Sequence, residues 1–559
     1  MLMTYNVDFE VKSLVCGFGF SILSDTLNSG IYISCDVSGR HIAAYAGSTT
    51  FGTDPLAQAN LPANLTIGLD SWHSVHAMAA ITEISISIDG VTVMSFSQTA
   101  RFFGALGLGA SLGTAPSSVT CPFLPDFFMG TNPYEIVLNG SRRDRIAYTG
   151  DLDIAGGAAL TSTHNLASII GSLDLLGSYQ ALPGFFIPNA KIQQEPLAEP
   201  LQVNTTGLIG YSFNFVTAVA SMYMQIGDAA FAGKWAPKLQ KMLDWADAQT
   251  LENGLFNSGV VTKFNVLYAY ALQECLPVLV AGGIYSSVYQ GRLEKLRSAI
   301  DTQLWSEELQ GYYVSQDLKT ALAQDSNAIA ILAGVNIDPR ISSETILSSL
   351  FTHLMTPSGP HAFSDATFEA GFRPLVSPYS SSYHLRAAFA SQNGDSAMEF
   401  LNKLWWPMAD TANVNYTGTF WETLDGEGKP CLGYMTSLCH SWAAGPTVEL
   451  SRYVLGAMPT QPGWSRFSIA LMTLVLGAAS GSVPTLNGAI NFQWNIEQDD
   501  LLHMKITAPR GLVGTVTLPC ALRVPVDAST FIANRKPLTG PTFDIKGGCG
   551  VTIEQARKV

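Results

Sequence analysis

A multidomain α+β protein is predicted, a central (α/α)6 toroid flanked by an N-terminal β jelly roll and a C-terminal β-sandwich. Three observations predict it. The hydrophobic period is two residues at the start of the chain, becomes helical in the middle, and returns to two near the end. The helical middle falls into paired segments with no fixed sequence repeat, which favours a closed ring of hairpins over a solenoid. The 559 residues exceed what one core holds, and they are 47% hydrophobic but only 13% charged, the composition of a deeply buried globular protein. The predicted domains are residues 1–125, 126–458 and 459–559, the last an antiparallel β-sandwich.

In the first of these, residues 6–15, 30–37, 83–89 and 91–96 alternate as strands, with Asp89-Gly90 punctuating a hairpin. The phrase around Asp70, Trp72 and His73 is similar to jelly rolls of the concanavalin or laminin-G type, and Trp72 and His73 read as packing residues. Residues 111–125, rich in Gly, Ser and Pro, read as a linker.

Helices are predicted over 154–180, 207–227, 233–250, 264–282, 286–304, 324–334, 342–355, 380–392, 394–410 and 433–455. Gly282-Gly283, Pro339, Pro357 and Gly394 separate some of them. A ring of this kind collects its loops around a central funnel, where a site forms. From 467 onward short strands return, predicted at 467–476, 489–493, 501–507, 514–518 and 551–554.

A net charge of −14 leaves no basic stripe for nucleic acid. No uninterrupted apolar run reaches membrane-spanning length; residues 467–479 come nearest. The start of the chain lacks a basic segment followed by an apolar core, so a cytoplasmic protein is expected as the chain stands, and a secreted one if a segment precedes it. The eight cysteines form no CxxC pair, so no metal and no cofactor is expected, and no disulfide is assigned. Asn64, Asn139, Asn204 and Asn415 begin Asn-x-Ser/Thr sequons.

Chemistry concentrates in one stretch, Asn139-Gly-Ser-Arg-Arg-Asp144-Arg-Ile-Ala-Tyr148-Thr-Gly-Asp151-Leu-Asp153. Charges at the mouth of a buried helix are ion-paired or functional, because burying them alone is costly. A second stretch, Gly418-Thr-Phe-Trp421-Glu422, places a lone carboxylate beside an indole. His440 and Trp442, beside the Gly445-Pro446 turn, are further pocket candidates. Tyr379, Tyr383 and His384 are weaker ones, and His164, Trp405 and Trp406 read as packing residues.

These stretches, with Trp305-Ser-Glu-Glu-Leu-Gln-Gly-Tyr-Tyr, Gln324-Asp-Ser-Asn327 and Ser437-Leu-Cys-His440-Ser-Trp442, occur in the order of the six-hairpin glycosidases. From about residue 135 onward the chain resembles glycoside hydrolase family 78, the α-L-rhamnosidases, in a divergent, fungal-type form. The resemblance implies an inverting exo-glycoside hydrolase that removes a terminal α-L-rhamnose-like sugar. It casts Asp144 as general acid and Glu422 as general base, their carboxyls roughly 6.5–9.5 Å apart. Asn139, Arg143, Tyr148, Asp151, Trp421, His440 and Trp442 would shape the sugar pocket. The arginines around Asp144 lower its pKa, whereas an acid needs the opposite shift, from burial or from Asp151 and Asp153.

The sequence departs from the family pattern. Asp144 replaces a glutamate, Asn139 a sugar-binding aspartate and Tyr148 a tryptophan, while Gly210 and Asn214 stand where the family has an aspartate- and tryptophan-bearing helix start. The alternatives are a non-hydrolytic enzyme on the same fold, either a lyase or an intracellular converter of a small metabolite, or a catalytically dead paralogue. The expected partner is a small glycoside, an oligosaccharide or an apolar small molecule.

Overall fold

The computed structural model describes residues 4–12, 17–24, 30–46, 54–68, 70–80, 83–98, 105–109, 132–142, 145–192, 194–203, 206–368, 371–496, 501–519 and 531–556. The chain forms two compact units, Met1–Gly130 and Thr131–Val559.

In the first unit, β1 (Thr4–Lys12), β2 (Gly17–Ser24), β3 (Ile31–Asp36), β4 (His41–Ala46), β5 (Ala57–Asn60), β6 (Trp72–Ala80), β7 (Glu83–Ile88), β8 (Val91–Ser97) and β9 (Ala105–Gly109) build two antiparallel sheets. Their orders are β1-β6-β7-β8 and β5-β4-β3-β2-β9. Alternate residues of β3 and β7 turn inward, so Ile31, Ile33, Ile84, Ile86 and Ile88 meet Phe9 and Phe20 in one core. The Asp89-Gly90 turn has positive φ at both residues, 49° and 77°, which a two-residue hairpin of type I′ requires. His73 is buried and fully engaged: Nδ1 bonds the Asp89 carboxylate at 2.7 Å and Nε2 meets the Ser71 hydroxyl at 2.8 Å. Trp72, expected to pack, is instead 45% exposed, because successive side chains of a strand face opposite ways and His73 takes the inner one.

The second unit opens with helices α1 (Thr149–Ser162), α2 (Leu166–Ser178), α3 (Ile209–Ile226), α4 (Ala229–Ala248), α5 (Thr262–Ala281) and α6 (Ser287–Gln303). It continues with α7 (Gln324–Leu332), α8 (Ser343–Leu354), α9 (Pro378–Ala390), α10 (Gly394–Phe400), α11 (Trp406–Ala409) and α12 (Gly445–Glu449). α1 packs against α3, α3 against α5, α5 against α7, α7 against α9, α9 against α12, and α12 back against α1. α3 is buried nearly all round, as a helix enclosed by neighbours must be, and ends at Gly227 in the left-handed region. α4 buries one stripe, Phe231, Trp235, Leu239, Met242 and Leu243, and is capped by Asp228, whose carboxylate accepts the Ala230 N–H. This difference separates a helix enclosed by its neighbours from one with an exposed face.

Several boundaries differ from expectation. The segment 154–180 is two helices: His164 has φ 53° and Asn165 caps α2 by accepting the Ser168 N–H at 3.2 Å. α1 also begins earlier than expected, since Asp151 and Asp153 suit a helix N-terminus and are not loop charges. In place of a helix over 433–455, Pro446 sits in the first turn of α12, and α12 passes into a π-helical turn at Leu450–Val454. A second π turn, Leu401–Trp405, changes the facing of the next residue: Trp405 is buried, while Trp406, also expected in the core, is 62% exposed. The strand predicted at 467–476 stops at Ala470.

The C-terminal strands form two sheets, one of Ala457–Pro459, Arg466–Ala470, Val513–Thr517 and Thr542–Lys546, the other six-stranded. An all-antiparallel arrangement was expected, yet Arg466–Ala470 and Val513–Thr517 run parallel because the chain between them crosses through the other sheet. One core runs from the helices into these sheets, with Trp494 Nε1 donating to the Val454 carbonyl at 2.8 Å and Trp464 Nε1 to Gln225 at 2.9 Å. Among the described residues α5 is long and apolar enough to cross a membrane; 61% of its apolar window is buried, as in a core helix.

Candidate active site

Two distant loops are sewn together at the mouth of α1. Gly140 and His440 form a backbone bridge, the Ser141 N–H donates to the Cys439 carbonyl at 3.0 Å, and the Ser441 N–H donates to the Asn139 carbonyl at 3.0 Å. The strands approach so closely that a Cβ on Gly140 would lie 2.7 Å from Ser437 Oγ and 2.8 Å from His440 Cδ2, which is why glycine stands there. Asn139 closes the base of the charged loop: its N–H donates to the Ile146 carbonyl at 3.1 Å and its Oδ1 accepts the Ile146 N–H at 3.3 Å. Asn139 is 5% exposed, so its sequon is closed to glycosylation in the folded chain, whereas Asn64 and Asn415 are exposed.

Ser437 is the junction. Its Oγ accepts the Ser141 N–H at 2.9 Å and the Arg142 N–H at 3.3 Å, and its own N–H donates to Glu422 Oε2 at 2.9 Å. The Glu422 N–H returns a bond to the Ser437 carbonyl at 2.8 Å. One residue thus separates the backbone of the charged loop from the buried Glu422 carboxylate. Arg143 and Asp144 lie outside the described residues.

The adjoining wall is aromatic and acidic. Trp442 stacks on His440 with centroids 4.1 Å apart, donates Nε1–H to the Glu422 carbonyl at 3.1 Å, and meets Tyr379 at 5.4 Å. Asp151, buried in the first turn of α1, has Oδ2 3.7 Å from His440 Nδ1. Tyr148, the residue before α1, meets the ring of Tyr211 edge-on at 6.0 Å, and Tyr211 meets Tyr379 at 6.3 Å. Burial, then the charge of Asp151, pushes the Tyr211 phenol well above its ordinary pKa, so it stays protonated. Lys263 pairs with Asp325 at 2.5 Å and lies 5.3 Å from the centre of the Tyr379 ring.

A buried chain of hydrogen bonds holds Tyr379 from beneath. Its hydroxyl donates to Asn214 Oδ1 at 3.1 Å, Asn214 Nδ2 donates to the Tyr383 hydroxyl at 2.8 Å, and Tyr383 donates to Asp153 Oδ2 at 2.5 Å. Asn214, a departure from the family pattern, is the hub of this chain.

Glu422, Asp151, His440, Trp442, Tyr148 and Asn139 therefore come together. Trp421 turns into packing, its Nε1 donating to Thr417 Oγ1 at 2.8 Å and its N–H to Met408 Sδ at 3.3 Å. His384 is core, set against Phe400 at 4.1 Å, and His164 sits at the break between α1 and α2. Ser437, Tyr211, Lys263 and Asp325 had not been singled out as site residues. Asp151, Tyr211, Lys263, Asp325 and Tyr379 are each the second or third residue of α1, α3, α5, α7 and α9, so reading the first turn of every inner helix would have found them.

A family model described as the bacterial α-L-rhamnosidase C-terminal domain matches residues 456–528. A family 78 rhamnosidase from Bacillus sp. GL1 aligns at a TM-score of 0.56 and 16% identity, over 92% of this chain and 52% of its own. An α-L-rhamnosidase from Streptomyces avermitilis, complexed with L-rhamnose, aligns at 0.59 and 12%, over 100% and 51%. The α-L-rhamnosidase of Dictyoglumus thermophilum aligns at 0.55 and 12%, over 100% and 61%. The chain has a rhamnosidase-like fold. It spans between about half and three-fifths of the length of these structures. A search of curated proteins finds no match.

Proposed function

We propose that this rhamnosidase-like chain is an inverting exo-glycoside hydrolase that removes a terminal α-L-rhamnose-like sugar, with Asp144 as general acid and Glu422 as general base. The observation that carries the reading is the Ser437 junction, which ties the loop bearing Asp144 to the Glu422 carboxylate. Inversion needs the two carboxyls roughly 6.5–9.5 Å apart, with a water between base and sugar.

In the mechanism, the protonated Asp144 carboxyl gives its proton to the leaving oxygen while Glu422 takes one from the attacking water on the opposite face. The bond to the leaving oxygen breaks as the water oxygen bonds to the anomeric carbon. The Ser437 N–H holds Glu422 Oε2 and so fixes the direction in which the base points. Asp151 and His440 offer partners to sugar hydroxyls, and Trp442 with Tyr148 lines an apolar face suited to a deoxysugar. The finer architecture in this proposal is an (α/α)6 toroid, preceded in the chain by a jelly roll and followed by a β-sandwich. The helix contacts that run from α1 around to α12 support the toroid.

A lyase would need a basic phenol or imidazole. Burial raises the pKa of both Tyr211 and Tyr379, so these two phenols serve as hydrogen-bond donors, and His440 is the group that a lyase would use as base. The test is p-nitrophenol release from the α-L-rhamnoside by wild type, Asp144→Asn and Glu422→Gln. Turnover in the wild type, lost in both folded variants, is expected. Turnover that survives both changes contradicts the assignment, and a wild type inactive on a panel of aryl glycosides contradicts the activity.

A further inference from the structure

Across the ring of inner helices from α12 and α1, Lys263 on α5 and Asp325 on α7 carry charge into the site from the far wall. Each is the second residue of its helix, at the same level as Tyr379 on α9. Asp325 Oδ2 accepts from Lys263 Nζ at 2.5 Å and from Ser380 Oγ at 3.4 Å, while Oδ1 has no hydrogen-bond partner among the described residues. The ammonium keeps two further protons, because one of its three is given to Asp325. The Asp325 side chain is 6% exposed and that of Lys263 28%, so the carboxylate is held and the cation is partly exposed.

We propose that Lys263 and Asp325, over the face of Tyr379, form a subsite that reads two adjacent hydroxyls of the substrate sugar. Lys263 donates to one hydroxyl oxygen, and Asp325 Oδ1 accepts the proton of its neighbour. The C–H face of the sugar rests on the Tyr379 ring, which the Asn214–Tyr383–Asp153 chain holds in place. An ion pair that merely joined α5 to α7 gains little over an apolar contact of the same volume, whereas a donor beside an unused acceptor is what a diol requires. The inference rests on the glycosidase reading for its substrate class, but the contacts it names are separate from the Asp144–Glu422 chemistry.

The experiment compares wild type with Lys263→Met, Asp325→Asn and Lys263→Arg, checked for folding by circular dichroism. Each is titrated calorimetrically with methyl α-L-rhamnoside and its monodeoxy derivatives, and assayed on the p-nitrophenyl glycoside. Lys263→Met and Asp325→Asn are expected to weaken binding of the parent sugar about ten-fold or more, because a site built for a hydroxyl is left with unpaired groups. They also lose the wild type's discrimination against one monodeoxy derivative, raise KM and leave kcat within about three-fold, while Lys263→Arg restores part of the affinity. Wild-type binding and discrimination in Lys263→Met and Asp325→Asn overturn the subsite even if hydrolysis is confirmed, as does a wild type that binds none of these sugars. A wild type that binds the sugar through Lys263 without cleaving it keeps the subsite and refutes the hydrolase.

Discussion

Gly150→Ala tests whether the site wall is as tightly packed as described. A Cβ at position 150 would lie 2.3, 2.4 and 2.5 Å from Cδ1, Cε1 and Cγ of Tyr211. Carbon atoms in contact sit about 3.5–4.0 Å apart, so the Tyr211 ring must retreat by more than about 1 Å. Overpacking of this kind costs about 1–3 kcal/mol. Against it stands the better helix propensity of alanine, a gain of about 0.5–1 kcal/mol in α1. The net effect in the native background is a loss of about 0.5–2 kcal/mol, and a Tyr211 ring displaced from Tyr148 and Tyr379. In a Tyr211→Ala background the ring is gone, so the same substitution becomes stabilising by about 0.5–1 kcal/mol. Denaturant unfolding of the four proteins in this cycle reads the sign change directly. Equal effects of Gly150→Ala in both backgrounds would refute the packing argument.

Other outcomes follow from the same contacts. Trp405→Ala removes a buried indole whose Nε1 donates to the Ala443 carbonyl, and is expected to cost about 3–5 kcal/mol, while Trp406→Ala stays within about 0.5 kcal/mol in the same unfolding assay. Burial pulls the His384 pKa down to about 3, so the folded state excludes a proton that the unfolded chain binds below about 6.5. Stability is therefore complete above that pH and falls by roughly 1 kcal/mol per unit as pH drops towards 3, and His384→Leu flattens the curve of unfolding midpoint against pH. The exposed Cys439 reacts with iodoacetamide while Cys35, its thiol pushed up to about 12 by burial, does not. Because the Cys439 carbonyl accepts from Ser141 and Ser437, loss of hydrolysis tracks its labelling by mass spectrometry, and Cys439→Ala is spared.

Much of the candidate site was legible where local chemistry is concentrated. Asp151, Glu422, His440 and Trp442 stand in short stretches that combine charge, indole and turn residues, and the structure gathers them. The helices were legible from their period, but boundaries were misjudged where one residue overrides a pattern. Asn165 caps a new helix inside an apolar run, and Pro446 confines α12 to a late start. Trp406 was misplaced because a π turn is invisible to a period of 3.6. Lys263 and Asp325 escaped notice since each is an ordinary charge near a helix start. Only the ring of contacts from α1 to α12 shows that these starts face one another.

The central claim is inversion by two carboxylates, and the stereochemistry of the first product tests it most directly. Proton NMR during the opening minutes of hydrolysis of an α-L-rhamnoside distinguishes the anomers before they equilibrate. With inversion, β-L-rhamnose appears first and the α anomer grows in only by mutarotation. Initial release of α-L-rhamnose would mean retention through a covalent intermediate, and would contradict the assignment of Glu422 as a base acting through water.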